Sequence, residues 1–162
     1  MRSGIGVHIR RLLVPIYAPM LLLSIGRAAP VAAFPQYLAG LGASLAIVGL
    51  VVSLRGVGYL VSDLPGGIIL SRARLRPVTL LCIAVAATAN LGIAVTTNVA
   101  VIGALVFLSG AMISVVLTAM MTYVRLSVPA DLRGRALSLV GGALRVGLLV
   151  GPVAGGIVAD RL

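Results

Sequence analysis

The sequence predicts an all-α membrane protein, a polytopic bundle of five transmembrane helices. Of the 162 residues, 60% are hydrophobic and only 10% are charged, and the mean hydropathy is +1.20. A water-soluble domain of this size could not cover so much apolar area with polar surface. Apolar runs long enough to cross a bilayer also recur along the whole chain, which places it in the membrane.

The spans are runs of about 20 apolar residues bounded by clusters of charge, because that number crosses a hydrocarbon core about 30 Å thick. They cover residues 12–38, 45–70, 78–95, 99–124 and 136–158. The basic N-terminus has the character of a signal peptide. Its apolar region is longer than that of a signal peptide, however, and four more spans follow, so we interpret it as an uncleaved first helix.

The first span contains the helix-breaking residues Gly26, Pro30 and Pro35 and one charge, Arg27, whereas the third is an uninterrupted apolar run without charge. Interrupted membrane helices often line a substrate path, since unwound backbone is tolerated only where it meets a cavity. A simple proline kink explains the pattern equally well, and the sequence leaves both interpretations open.

The distribution of arginine predicts the orientation of the chain. Nine arginines flank the spans on one side and a single one, Arg161, lies on the other. The nine are Arg2, Arg10, Arg11, Arg72, Arg74, Arg76, Arg125, Arg133 and Arg135. The positive-inside rule then predicts a multi-pass inner-membrane protein with a cytoplasmic N-terminus and an external C-terminus. The net charge of +10 therefore reflects the orientation of the chain in the membrane, and no nucleic-acid partner is expected.

Four ionisable residues lie within the predicted spans and are the candidates for binding a solute or a coupling ion: Arg27, Arg55, Asp63 and Arg145. A charge at the centre of a membrane helix costs about 2.5 to 3.5 kcal/mol, so these side chains should avoid lipid. Arg55 and Asp63 are eight residues apart, on adjoining faces two turns from each other, and cannot pair directly.

The partners of Asp63 must therefore come from neighbouring helices. A network that joins Asp63 to Arg27 or Arg145 is one hypothesis, and static structural ion pairing is the alternative. Three arginines against one aspartate leave a surplus of positive charge. That surplus would suit an anionic solute or carboxylates from a second bundle, and the sequence does not choose between them.

No catalytic constellation is visible in the sequence. It contains no nucleophile paired with a base, no clustered carboxylates, no metal-ligand spacing and no phosphate-binding loop. Cys82 is the only cysteine, so a disulfide framework is not available. We therefore expect no enzyme activity, no metal site and no cofactor.

The fifth span contains the strongest motif, Gly147-Leu-Leu-Val-Gly151-Pro152-Val-Ala-Gly155-Gly156. Glycines at every fourth position form a bare stripe that another helix can approach closely, and the proline removes a backbone donor and bends the helix. Generic helix packing through small residues is the plainer interpretation. The run nevertheless resembles the Gly-x-x-x-Gly-Pro-x-x-Gly-Gly signature in helix 5 of antiporters of the major facilitator superfamily (MFS).

A second motif lies at the cytoplasmic end of the second span. The run Gly67-Ile-Ile-Leu-Ser71-Arg72-Ala-Arg74-Leu-Arg76 is similar to the loop motif Gly-x-x-x-Asp-Arg-x-Gly-Arg-Arg of the same superfamily. The match is degenerate, because Ser71 stands at the position of the acid and Arg74 at that of the second glycine. This departure weakens the inference that the loop works as the gate it forms in the family.

The resemblance implies a carrier of twelve helices in two six-helix bundles that moves small solutes by alternating access. Residues 1–162 would then be a partial N-terminal bundle, an incomplete MFS half with five helices, and the C-terminal half would be absent. The motif favours an efflux or antiport type, inactive as this fragment. The expected partners are the lipid bilayer, a small-molecule solute, and a missing C-terminal half or another membrane protein. The alternative function is a small membrane scaffold that binds another membrane protein through the glycine stripe.

Overall fold

The computed structural model describes residues 18–28, 30–130 and 132–159, and all the regular secondary structure in these residues is α-helical. The helices are α1 (Ala18–Ala28), α2 (Pro30–Gly40), α3 (Leu45–Arg72), α4 (Leu75–Val95), α5 (Val99–Ser127) and α6 (Arg133–Ala159). The predicted all-α class is confirmed. By length and composition, α3, α4, α5 and the Arg133–Ile157 part of α6 could each cross a membrane.

The first predicted span, 12–38, corresponds in the described residues to two helices of 11 residues each, α1 and α2. Residues 12–17 and residue 29 lie outside the described residues, as do Arg2, Arg10, Arg11 and Arg161. Pro30 is the first described residue of α2. Pro35 lies inside α2 and removes one backbone donor.

The other helices extend up to three residues beyond the predicted spans, into the charged segments. Arg72 and Arg125 lie in the last turns of α3 and α5, where positive charge is favourable beside unpaired carbonyl groups. Hydropathy ends a span where charges cluster, but the backbone hydrogen bonds of a helix continue until a cap or a turn stops them.

The connection between α2 and α3 closes in a Schellman turn. The N–H of Ala43 donates to the carbonyl of Leu38 at 3.2 Å and that of Gly42 to Ala39 at 2.9 Å, while Gly42 adopts a φ of 81°. Only glycine adopts such a conformation without strain. Ser44 then caps α3, because its side chain accepts from the backbone N–H of Ile47.

The chain divides into two compact units, which are described separately. The first comprises Met1–Gln36 and Ala130–Leu162, and within it α1 packs against α6. The second comprises Tyr37–Pro129, with α3 and α4 both packed on α5. In the most apolar stretch of each helix, 56% of α5 is buried inside the protein, but only 17% of α3 and 22% of α4. The helix α5 is therefore the central helix of the second unit.

Backbone meets backbone where α3 crosses α5. A Cβ atom at Gly58 would overlap the carbonyl oxygen of Phe107, and one at Gly110 would overlap that of Arg55. Further along in the same direction, a Cβ at Gly66 would lie 2.8 Å from Cγ2 of Val115. The contacts advance together along both helices, so α3 and α5 run parallel, and glycine at these positions allows their close approach.

In contrast, α4 runs antiparallel to α5. The amide Nδ2 of Asn90 donates to Oγ of Ser109 at 3.1 Å and to the carbonyl of Ala86 at 2.7 Å. Two residues further along α4, a Cβ at Gly92 would lie 3.0 Å from Cδ1 of Leu105, four residues back along α5. Small residues and one polar pair therefore hold α4 in place.

The crossing of α3 and α5 provides a matched pair of variants. Gly58→Ala should lower the free energy of unfolding by about 1 to 3 kcal/mol, because the added methyl group must displace backbone atoms. Gly56→Ala is the control, since a Cβ there meets no atom of the described residues within 4 Å. Circular dichroism during SDS titration in mixed micelles measures both, and equal stability of the two variants would contradict the crossing.

Candidate functional site

The candidate site is a polar stripe on α3 formed by Arg55, Tyr59 and Asp63. Each member is four residues from the next, so consecutive side chains are neighbours on the helix surface, and the ends of the stripe are about 12 Å apart along the axis. Arg55 and Tyr59 are half-buried, and Asp63 is exposed at the surface of the second unit. The stripe crosses a helix that is otherwise almost entirely apolar.

Asp63 binds a partner on a neighbouring helix, and this partner is a serine. Oγ of Ser114, on α5, donates a hydrogen bond to Oδ1 of Asp63. Ser114 is only 3% exposed, so its hydroxyl is held against α3 and has little competition from solvent. Hydrogen bonds to a charged acceptor are the stronger kind, and a carboxylate has acceptor capacity for about four of them. Most of the capacity of Asp63 is therefore left for other ligands.

The packing of α3 on α5 fixes this hydrogen bond in position. The backbone contact at Gly58 lies five residues before Asp63, and the contact of Gly66 with Val115 lies three residues after it. Ser114 immediately precedes Val115, so the hydroxyl is carried on the same turn that packs against Gly66. The two glycine contacts thus set the rotation and the distance of the helices on either side of the carboxylate.

The sequence predicted the charged members of this site but not its polar partners. Ser114 and Ser109 are both buried in α5, one bonded to α3 and the other to α4. Isolated serines in an apolar span are common, and by themselves they do not indicate which neighbouring helix they contact. Their spacing of five residues was an available signal, because it places them on different faces of one helix.

The other two predicted charges lie in the first unit. Arg27 is half-buried in the last turn of α1, where a cation is favoured by the helix dipole, and Arg145 is exposed on α6. Arg55 and Asp63 belong to the second unit. The structure thus describes the four charges in two separate pairs, and a network that joins Asp63 to Arg27 or Arg145 remains a prediction.

The glycine motif of the fifth predicted span packs against α1 of the same chain. A Cβ at Gly147 would overlap Cβ of Ser24, and one at Gly151 would overlap Cβ of Ala28. Both glycines are buried, whereas a Cβ at Gly156 meets no atom of the described residues within 4 Å. The stripe is therefore covered over at least these two positions, which leaves less of it for the partner that a scaffold would bind.

The remaining residues of that motif and of the loop motif occupy simple local positions. Pro152 lies inside α6, which continues to Ala159, and Gly155 is half-buried. At the loop motif, α3 ends at Arg72, and only two residues separate it from α4. Oγ of Ser71 donates to the carbonyl of Ile68 at 2.8 Å, and a Cβ at Gly67 meets no described atom within 4 Å.

The long apolar helices, the buried glycine contacts and the polar stripe together describe a helical membrane bundle. Residues 19–162 match the family model of the Major Facilitator Superfamily. The chain belongs to this superfamily. A comparison with curated proteins found no matching sequence.

Membership of the MFS makes the chain a multi-pass membrane protein that takes part in transport across the bilayer. Proteins of this superfamily are in general carriers and not enzymes. The polar stripe and the α1–α6 glycine contact are accordingly features of a membrane carrier, in contact with lipid over its exposed apolar faces.

The glycine motif of α6 predicts different effects at two of its own positions. Gly151→Ala should weaken the packing of α1 on α6 and lower the free energy of unfolding by about 1 to 3 kcal/mol, because its methyl group meets Ala28. Gly156→Ala should be close to neutral. Thermal unfolding in detergent, followed by circular dichroism, compares the two, and an equal loss of stability would contradict the contact described for Gly151.

Proposed function

We propose that the chain forms part of an MFS carrier that moves a small solute across the inner membrane by alternating access, with efflux or antiport as its mode. The observation that carries the proposal is the Asp63–Ser114 hydrogen bond, on a mostly apolar helix that also carries Arg55 two turns away. Ionisable side chains in membrane helices are rare and usually mark the path of a substrate or an ion. Asp63 is the proposed coupling residue, and Arg55, Arg27 and Arg145 are the proposed solute contacts.

The efflux or antiport mode is supported by the resemblance of Gly147, Gly151, Pro152, Gly155 and Gly156 to the antiporter signature. A glycine contact that lets α1 and α6 touch closely, next to a proline without a backbone donor, also suits a helix pair that must bend during transport. The same contact supports the carrier over the scaffold, because α1 occupies part of the surface that a scaffold would offer.

Alternating access requires one helical bundle to move against another around a central site. We propose that α1 to α6 correspond to the first five helices of the first bundle of such a carrier. The second bundle would come from further sequence or from another chain. Its carboxylates, or an anionic solute, would balance the positive charge of Arg27, Arg55 and Arg145.

The proposed orientation places the N-terminus in the cytoplasm. The exposed arginines at the turn between α3 and α4 and at the C-terminal end of α5 support it, because arginine accumulates on the cytoplasmic side of membrane proteins. In this arrangement the turn between α2 and α3, with Gly42 and the cap residue Ser44, faces the external side.

The coupling role of Asp63 predicts a large effect of its isosteric amide. Asp63→Asn should lower the initial rate of solute efflux at least about tenfold and flatten its dependence on external pH, because the amide cannot exchange a proton or bind a cation electrostatically. The assay follows fluorescent anionic, cationic and neutral solutes in cells that express the native locus with its flanking coding sequence. Unaltered kinetics across pH would remove Asp63 from the coupling path.

Ser114 should act as a positioning residue for Asp63. Ser114→Ala should lower the efflux rate about tenfold and shift its pH profile, since a hydrogen bond to a charged group is worth about 1.5 to 3 kcal/mol. The matched control is Ser53→Ala, whose hydroxyl donates only to the carbonyl of Leu50 in its own helix. A lower rate with an unshifted pH profile would mean that Ser114 serves only the packing of the helices.

A further inference from the structure

We propose that the turn between α3 and α4 binds the phosphate group of an anionic membrane lipid through Arg72, Arg74 and Arg76. The turn is short, because α3 ends at Arg72 and α4 begins at Leu75. Three arginines therefore lie within five residues, and the side chains of all three are exposed. A fourth exposed arginine, Arg125, lies at the same end of the second unit, since α5 runs parallel to α3 and Arg125 is in its last turn.

This cluster has no carboxylate to neutralise it within its own unit. Asp63 is the only acidic residue between Tyr37 and Pro129, and it lies nine residues before Arg72, about 13 Å along the helix axis. Position 71, directly before Arg72, holds a serine whose hydroxyl donates to the carbonyl of Ile68. Within the second unit, these four exposed cations therefore form a positive surface with no carboxylate of that unit beside it.

Apolar side chains lie next to the cluster on both helices. Ile68 and Ile69 of α3 are each 50% exposed, and Leu80 and Leu81 of α4 are 67% and 65% exposed. Each pair is about one turn from the arginines, toward the middle of its helix. Guanidinium groups above exposed apolar surface match a lipid, whose phosphate sits at the interface and whose acyl chains lie below it. A soluble phosphate would contact only the guanidinium groups and not the apolar side chains.

The chemistry of arginine favours a specific contact over a diffuse attraction. A guanidinium group offers two parallel N–H donors to a phosphate and is always charged. The positive-inside rule requires positive charge alone and is satisfied by lysine as well as by arginine. Replacement of arginine by lysine therefore separates lipid binding from the topological role of the same residues.

The first test places a carboxylate at position 71, where the superfamily loop motif has an acid. Ser71→Asp should lower the preference of the chain for phosphatidylglycerol over phosphatidylcholine about fivefold, the factor for one charge near an anionic lipid. Ser71→Asn is the matched control, with nearly the same shape and no charge, and should leave the preference unchanged. Native mass spectrometry of the full chain, released from detergent micelles that contain both lipids, counts the lipid molecules that it retains. Equal retention by the two variants would overturn the proposal.

A second set of variants guards against misfolding of the first. Arg72→Gln/Arg74→Gln/Arg76→Gln should lower the preference about a hundredfold, and the corresponding triple lysine variant should have an intermediate preference. Circular dichroism checks that each variant keeps its helices. An unchanged preference in the glutamine variant, or equal values for lysine and arginine, would contradict the site. Displacement of the lipid by millimolar glycerol phosphate would show a soluble ligand and would also overturn it.

Discussion

Gly58 and Gly110 let the backbones of α3 and α5 touch, and the arrangement of the second unit follows from that contact. In lipid there is no hydrophobic force to push two apolar helices together, so close packing and hydrogen bonds between helices must hold them. A Cβ at either position would overlap a carbonyl oxygen of the opposite helix. At this distance Ser114 reaches Asp63, and α5 is left free on its other side to bind α4 through Ser109 and Asn90.

Glycine also allows close contact between two helices in the first unit. Gly147 and Gly151 give α1 access to α6, and the first of them lies against Ser24, which is itself buried and donates to the carbonyl of Met20. The glycines of one motif therefore do not share one role, since Gly156 lies five residues after Gly151 and a Cβ there meets no described atom within 4 Å. A motif defined by sequence spacing contains both contact residues and residues with space around them.

The all-α class and most helix positions were predictable because they depend on length and local hydropathy. The charges Arg55 and Asp63 were visible for the same reason, as departures from an apolar run. The partner of Asp63 was not predictable, because Ser114 is 51 residues away and its approach depends on the rotation of two helices. Gly58 was equally hidden: in the sequence it looks like Gly56, and only the crossing point distinguishes them.

The hydroxyl of Ser114 offsets part of the cost of placing the Asp63 carboxylate in a membrane helix. A carboxylate at the centre of a membrane helix costs about 2.5 to 3.5 kcal/mol, and one hydrogen bond to a charged group contributes about 1.5 to 3 kcal/mol. The bond from Ser114 therefore offsets much of the cost but leaves little surplus. A full ion pair in low dielectric would be strongly destabilised by removal of either partner, so it would resist exchange. A carboxylate held by one neutral donor instead keeps its anchor to α5 and still has acceptor capacity for a further donor.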